Sequence, residues 1–380
     1  MRVKLGDIFE IGSGGTPSKS CPEYYGGDIP WVKTGDLKSE YIYGVEDFIT
    51  EDGLGNSSAK MYEEDTVLIA MYGATIGATS ILKISACTNQ ACAAFKRSDK
   101  VIPEYLYYFL KSQKEKFVKD GVGGAQPNIS AGYLKKVEME LLSIREQRTI
   151  VDILNIIENI ANKRKQEIIA LDNLIKARFV EMFGDMVTNP NGWKKVLLGE
   201  ACDVRDGTHD SPQYYSEGYP LVTSKNVTGG KIDFTDCSLI CKEDYNKINQ
   251  RSKVDYGDIL MPMIGTVGNP VIVDIDGEFA IKNVALIKFR DNSAVINSFV
   301  KTLLESDYFD RAVISKVRGG TQKFISLGDI RKLEICLPPI SVQEQFADFV
   351  HQVDKSKVAV QKALDETQLL FNSLMQKYFG

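Results

Sequence analysis

Two long stretches of this chain share one hydrophobic rhythm. From Ile150 onward, Leu154, Ile157, Ala161, Ile168, Leu171, Ile175 and Met182 keep three-four spacing, with Arg164 and Arg178 on the same register. In the second stretch Phe346, Val350, Val353, Val360, Leu364, Phe371, Leu374 and Tyr378 do the same, interrupted by Lys357 and Thr367. Neither stretch holds Pro or Gly until Gly184 and Gly380, which follow Phe183 and Phe379 and suit helix ends. A rhythm kept for about five heptads predicts a coiled-coil seam. A single amphipathic helix could instead lie on its own domain, but two at matched positions favour packing on each other. Antiparallel pairing would set the globular parts at opposite ends of a rod of roughly 55–60 Å, at 1.5 Å per residue.

Outside these stretches the chain runs in short apolar segments punctuated by Gly, Pro, Asn and Asp. TVLIAMYG, ACAAFK, DILMPMIG and VALIKFR have the length and flanking turns of β-strands. One helical stretch accompanies each set, from about Pro103 to Asp120 and from about Ile296 to Val317. The expected fold class is α+β: two similar mixed α/β domains, separated by two long helices that pair as an antiparallel coiled coil, with a pseudo-twofold internal duplication. The turn-rich segment Asp185 to Trp193 restarts the pattern. The expected boundaries are 1–143, a helix over 144–184, a second domain over 185–340, and a second helix over 341–380.

The duplication is legible residue by residue. GGAQPNISAGYLKKVEMELLSIREQ, from Gly123 to Gln147, matches GGTQKFISLGDIRKLEICLPPISVQEQ, from Gly319 to Gln345. Leu5-Gly6-Asp7-Ile8 matches Leu198-Gly199-Glu200-Ala201, and Tyr24-Tyr25 matches Tyr214-Tyr215. Asn89 and Asn283 each precede an apolar strand.

Composition narrows the class. A length of 380 residues suggests two to three domains, and 43% hydrophobic with 26% charged residues is a soluble globular balance. No run is apolar enough for a membrane span or signal peptide, so the expected location is the cytoplasm. Seven cysteines without a tight framework fit reduced thiols, and with only two histidines no zinc spacing appears; no metal and no cofactor is expected. The net charge of −5 argues against a broad basic surface, although residues 66–143 are locally basic.

LGDIFEIGSGGTPS near the start, the GG-x-Q-x-x-I-S loops, the Glu-Gln helix starts (Q-E-Q in the second copy), the Phe-Gly ends and NPNGWKKVLLGE together carry a resemblance. The whole chain resembles the specificity subunit of type I restriction–modification systems. The first copy departs slightly, with Leu142-Ser143-Ile144 where the second has Leu337-Pro338-Pro339-Ile340. The resemblance implies that each globular part is a target-recognition domain reading one half of a bipartite, asymmetric double-stranded DNA site. It implies that the helices set the spacer and help dock two methyltransferase subunits, with motor-nuclease subunits joining that assembly. It implies a non-catalytic chain within a DNA adenine methyltransferase and ATP-dependent endonuclease. The seam would be carried by Ile150, Leu154, Ile157, Ile168, Leu171, Ile175, Phe346, Val350, Val353, Val360, Leu364 and Leu374.

The side chains agree with a non-catalytic reading. Asn189-Pro190-Asn191 lacks the second proline of a base-holding tetrad, and Leu337-Pro338-Pro339-Ile340 lacks the amide and the aromatic. Gly14-Gly15-Thr16-Pro17-Ser18-Lys19 only superficially resembles a phosphate loop, because no glycine precedes the lysine and Pro17 removes a backbone donor. His209 has no counterpart in the first copy, so no catalytic residue is expected. Gln and Asn can pair with adenine, and Lys with guanine, at base edges. The expected DNA contacts are Lys33, Thr34, Tyr72, Thr75, Gln126 and Asn128 in the first copy. In the second they are Thr208, His209, Lys225, Asn226, Thr266, Gln322 and Lys323. The competing reading for each is a polar residue that satisfies its own loop, and Trp31 is expected to pack rather than stack. A specificity factor for a modification-only or phage-exclusion methyltransferase is the neighbouring alternative; a coiled-coil protein-interaction scaffold is the alternative from another class.

Overall fold

The computed structural model describes residues 1–121, 128–264, 267–290, 293–316 and 324–380. Two compact units result: Met1–Lys165 with Ala363–Gly380, and Gln166–Lys362.

The first unit is built on a five-stranded sheet in the order Ile11–Ser13, Cys92–Phe95, Val67–Ala70, Thr79–Leu82, Tyr41–Ile42. Val67–Ala70 and Cys92–Phe95 are buried on both faces, which is why they read as continuous apolar runs instead of alternating ones. A second, four-stranded sheet joins Phe48–Ile49, Tyr25–Val32, Ala86–Thr88 and Met61–Tyr62. The helix Pro103–Ser112 starts on a proline, whose missing N–H costs nothing there, and buries Tyr105 to Leu110 against the main sheet. The second unit repeats the plan: Asp203–Asp206, Val284–Lys288, Ile259–Pro262 and Val271–Ile272 form its main sheet. Ser238–Ile240, Tyr219–Val222 and Ala280–Ile281 form its smaller one. Each unit is tied off by a two-stranded ribbon joining its start to its end, Arg2–Lys4 with Glu138–Glu140 and Lys194–Leu197 with Glu334–Leu337.

The two long helices span Ile144–Phe183 and Ile340–Phe379. All twelve expected seam residues are buried or half-buried, with Leu154 and Phe346 fully so. In the first unit Ile150, Leu154 and Ile157 share a core with Phe371, Met375 and Phe379. There the Arg164 guanidinium donates to the Ala363 carbonyl and the Thr367 hydroxyl. In the second unit Phe179 and Phe183 pack on Phe346, at ring separations of 5.5 and 5.2 Å. Lys357 pairs there with Asp172. The polar residues that break the apolar rhythm are thus partnered within each unit.

One alignment read from the sequence needs correction. Glu146-Gln147 resembles Glu344-Gln345, but the residue standing where Gln147 stands is Gln343. Both are fully buried, and each accepts a bond from the N–H that precedes a domain helix, Ile102 in one unit and Ile296 in the other. The spacing from Ser130, the cap of one short helix, to Gln147 equals that from Ser326, the cap of its counterpart, to Gln343.

Candidate nucleic-acid interface

In the first unit Ile11–Ser13 and Val67–Ala70 both run antiparallel to Cys92–Phe95. The segments after the first two strands and before the third therefore gather at one end of the sheet. Thr16, Gln90, Tyr72 and Thr75 lie on these segments. Tyr25–Val32, parallel to Ala86–Thr88, delivers Lys33 and Thr34 to the same end, where the Asn89 N–H bonds the Val32 carbonyl. Asn128 joins them through a backbone bridge to Tyr72.

Close backbone packing shapes this end. A side chain at Gly14 would collide with the Thr88 carbonyl at 1.9 Å, and one at Gly15 with the Ala59 nitrogen at 2.3 Å. The double glycine of the phosphate-loop look-alike thus lets two loops touch. Above it lies an open cleft of about 610 Å³, lined by Thr16, Lys19, Tyr25, Trp31, Lys33, Asn89 and Gln90. The Thr16 hydroxyl donates to the Gln90 amide oxygen. Lys33 faces Asp47 at 2.5 Å and lies 5.7 Å from the Trp31 ring, with its side chain 40% exposed. Trp31 packs as expected: it is 6% exposed and its indole N–H donates to the Gly15 carbonyl at 3.1 Å. Thr75 donates to the Tyr72 carbonyl at 3.2 Å, while the Tyr72 ring is exposed.

The second unit builds the same end from different side chains. Asp203–Asp206 and Ile259–Pro262 run antiparallel to Val284–Lys288, bringing Thr208, His209, Ile264 and Asn283 together there. The His209 ring is held from both sides, Nδ1 at 2.8 Å from Asn283 Oδ1 and Nε2 at 2.8 Å from Asp206 Oδ2. Two oxygen acceptors favour the imidazolium, so these bonds raise the His209 pKa, against the pull of burial. Arg251 pairs with the other oxygen of Asp206. A cavity of about 320 Å³ opens beside them, lined by Thr208, Asp210, Ser211, Lys247 and Arg251. Lys282 donates to the Ser211 hydroxyl at 2.6 Å.

Thr34 and Lys225 lie in corresponding turns, Lys225 exposed and Thr34 half-buried. Asn226 stands apart from the other expected readers. It is 3% exposed, accepts from the Thr223 N–H and hydroxyl, and donates to the Asp233 carbonyl. It holds its turn from inside, as Asp36 does through the Lys33 N–H. Gln126, Thr266, Gln322 and Lys323 lie outside the described residues. The structure also brings Thr16, Gln90, Asp206, Arg251, Ile264 and Asn283 to these ends, none of which the sequence reading named as a candidate contact. Asn283 left a signal as the asparagine before an apolar strand, and Thr16 as part of the phosphate-loop look-alike.

The family profile described as "Type I restriction modification DNA specificity domain" matches this chain twice, over residues 1–170 and 190–367. The chain belongs to that family. As a specificity subunit it recognises DNA sequence for a type I restriction–modification system, and the family is non-catalytic. The MjaIX specificity subunit of Methanocaldococcus jannaschii is 30% identical, over 98% of this chain and 91% of its own. The solved S subunit from M. genitalium shares the fold of this specificity subunit at a TM-score of 0.55 and 16% identity, covering 100% of this chain and 96% of the other. A chain from a type I R-M assembly structure does so at 0.62 and 19%, covering 100% and 97%. Among the described residues, no helix of the specificity subunit is long and apolar enough to cross a membrane.

Proposed function

We propose that the two units of this specificity subunit each read one half of a bipartite, asymmetric DNA target in the cytoplasm, through the sheet ends described above. The observation that carries the reading is the matched construction of those ends. The same strands deliver loops to the same place in both units, while the side chains differ: Thr16 and Gln90 in one, His209 and Asn283 in the other. Two equal frames with unequal contents suit an asymmetric split site. Direct contacts are assigned to Lys33, Thr34, Tyr72, Thr75, Asn128, Thr208, His209 and Lys225.

The recognition domains are taken as 1–143 and 185–340, with the helices 144–184 and 341–380 as the spacer. The helices pair as an antiparallel coiled coil, a reading supported by the Arg164–Thr367 and Lys357–Asp172 contacts inside the two units. That rod sets the distance between half-sites and offers docking surface to two methyltransferase subunits, to which motor-nuclease subunits attach. A net charge of −5 leaves many phosphate contacts to those partners. Methylome sequencing of cells with and without this gene tests the reading. A split motif that disappears with the gene is expected; an unchanged methylome, or a continuous palindromic motif, would overturn it.

A further inference from the structure

Among the described residues, an isolated antiparallel bridge lies at the sheet end proposed for recognition in each unit: Tyr72 with Asn128 in the first, Ile264 with Phe324 in the second. The bridges are built alike. The Ile129 N–H bonds the Met71 carbonyl at 3.0 Å, and the Ile325 N–H bonds the Met263 carbonyl at 2.9 Å. Met71, Ile129, Met263 and Ile325 are each 5% exposed or less, so the neighbours of each bridged pair point into the core. Alternation along extended backbone then turns the bridged residues outward. Residues directly opposite each other in such a bridge carry their side chains on one face, within contact reach. Tyr72 is 43% exposed, Ile264 39% and Phe324 48%, and Asn128 is exposed as well.

The backbone therefore presents a two-residue patch at one corresponding place in both units, polar in the first and wholly apolar in the second. An isolated exposed apolar residue needs no explanation. Two, paired by the backbone where the other unit carries Tyr and Asn, do need one. At the major-groove edge the apolar landmark is the C5 methyl of thymine; the other landmarks there are hydrogen-bond donors and acceptors.

We propose that Ile264 and Phe324 form an apolar base-contact pair that reads a thymine methyl in the half-site of the second unit. The proposal rests on the reading that the sheet ends face base edges.

The test uses the full chain copurified with its methyltransferase partner and the duplex found by methylome sequencing. Thymines are replaced one at a time by uracil, which lacks only the C5 methyl. Binding is expected to weaken about fourfold at one position, in the half read by the second unit, as removal of one buried methyl implies. In the I264A/F324A variant that sensitivity disappears; both side chains are exposed, so the fold tolerates the change. The proposal is overturned if no thymine in that half is sensitive, or if the variant keeps the same sensitivity. It is equally overturned if the variant instead loses the methyltransferase, which would mark a protein interface. A complex with no sequence preference at all would sink the underlying reading, a result distinct from these.

Discussion

Gln147 and Gln343, in the first turns of the two long helices, make the same three hydrogen bonds in their own units. The Gln147 amide oxygen accepts from the Ile102 N–H at 3.0 Å, and its nitrogen donates to the Lys100 and Leu142 carbonyls at 2.8 and 3.0 Å. The Gln343 oxygen accepts from the Ile296 N–H, and its nitrogen donates to the Ala294 and Pro338 carbonyls, all at 2.9 Å. Ile102 and Ile296 precede Pro103–Ser112 and Asn297–Leu304. One amide thus fastens the start of a long helix to the start of a domain helix.

Gln147→Leu keeps the bulk but takes the fully buried amide away from one N–H and two carbonyls that lie in part-buried surroundings. A buried orphan costs about 1–3 kcal/mol, and half-exposed groups recover part of that from water, so the summed loss is expected to be about 1–3 kcal/mol. Gln343→Leu should cost the same. Urea denaturation of the full chain measures both, and a loss below about 1 kcal/mol would show that the clamp is dispensable.

His209 gives the chain a predictable pH response. Its pKa is raised above the ordinary 6.5 by the Asn283 and Asp206 oxygens, so folding favours the protonated ring. The stabilisation is complete below the unfolded value and is lost as pH rises through the folded one. The melting-temperature gap between wild type and His209→Ala should therefore be wider in mildly acidic than in alkaline buffer. NMR titration of the ring reads the midpoint directly. A midpoint at or below 6.5 would contradict the double clamp.

Burial, more than charge, holds the long helices. Leu154 is fully buried, and Leu154→Ala is expected to cost about 2–5 kcal/mol. Lys357 and Asp172 keep 28% and 49% of their side chains exposed, so Lys357→Met should cost under about 1 kcal/mol. Denaturation curves that reversed this order would make the ion pair the stronger element.

The helices were the most legible part of the chain, because Leu154, Phe346 and Phe371 repeat with the helical period wherever they pack. The duplication was legible for a similar reason: Ser130 with Ser326 and Gln147 with Gln343 keep one separation. What failed was local matching, since the eye follows Glu-Gln while the hydrogen bonds select Gln343. The candidate interface was half legible. Loops rich in Gly, Thr and Asn announce themselves, but Thr16 meets Gln90, and His209 meets Asn283, across 74 residues of chain in each case. Such meetings follow from strand order, which periodicity does not encode. Asn226 shows the opposite limit: a polar residue in a turn looks the same in sequence whether its amide faces water or, as here, its own backbone.

Salt should separate the chain from its complex. With a net charge of −5, the isolated chain is expected to bind its target weakly. Copurified with methyltransferase it should bind tightly, with log affinity falling linearly in log salt. Gel shifts over a salt series measure both. Equal site-specific affinity for the isolated chain would place the phosphate contacts on this subunit.

The division of labour between units and helices can be separated by two exchanges. Replacing residues 1–143 with the matching region of a relative should change one half of the methylated motif and leave the other intact, because each sheet end is built within its own unit. Inserting seven residues into each long helix should leave both halves unchanged and alter only the spacer. Seven residues add about 10 Å of helix at 1.5 Å each. At about 3.4 Å per base pair the spacer can grow by at most about three base pairs, and by fewer if the rod runs oblique to the duplex. Methylome sequencing reads both outcomes. A first exchange that altered both halves would mean that the units do not read independently, and an unchanged spacer would free the helices from any role in setting it.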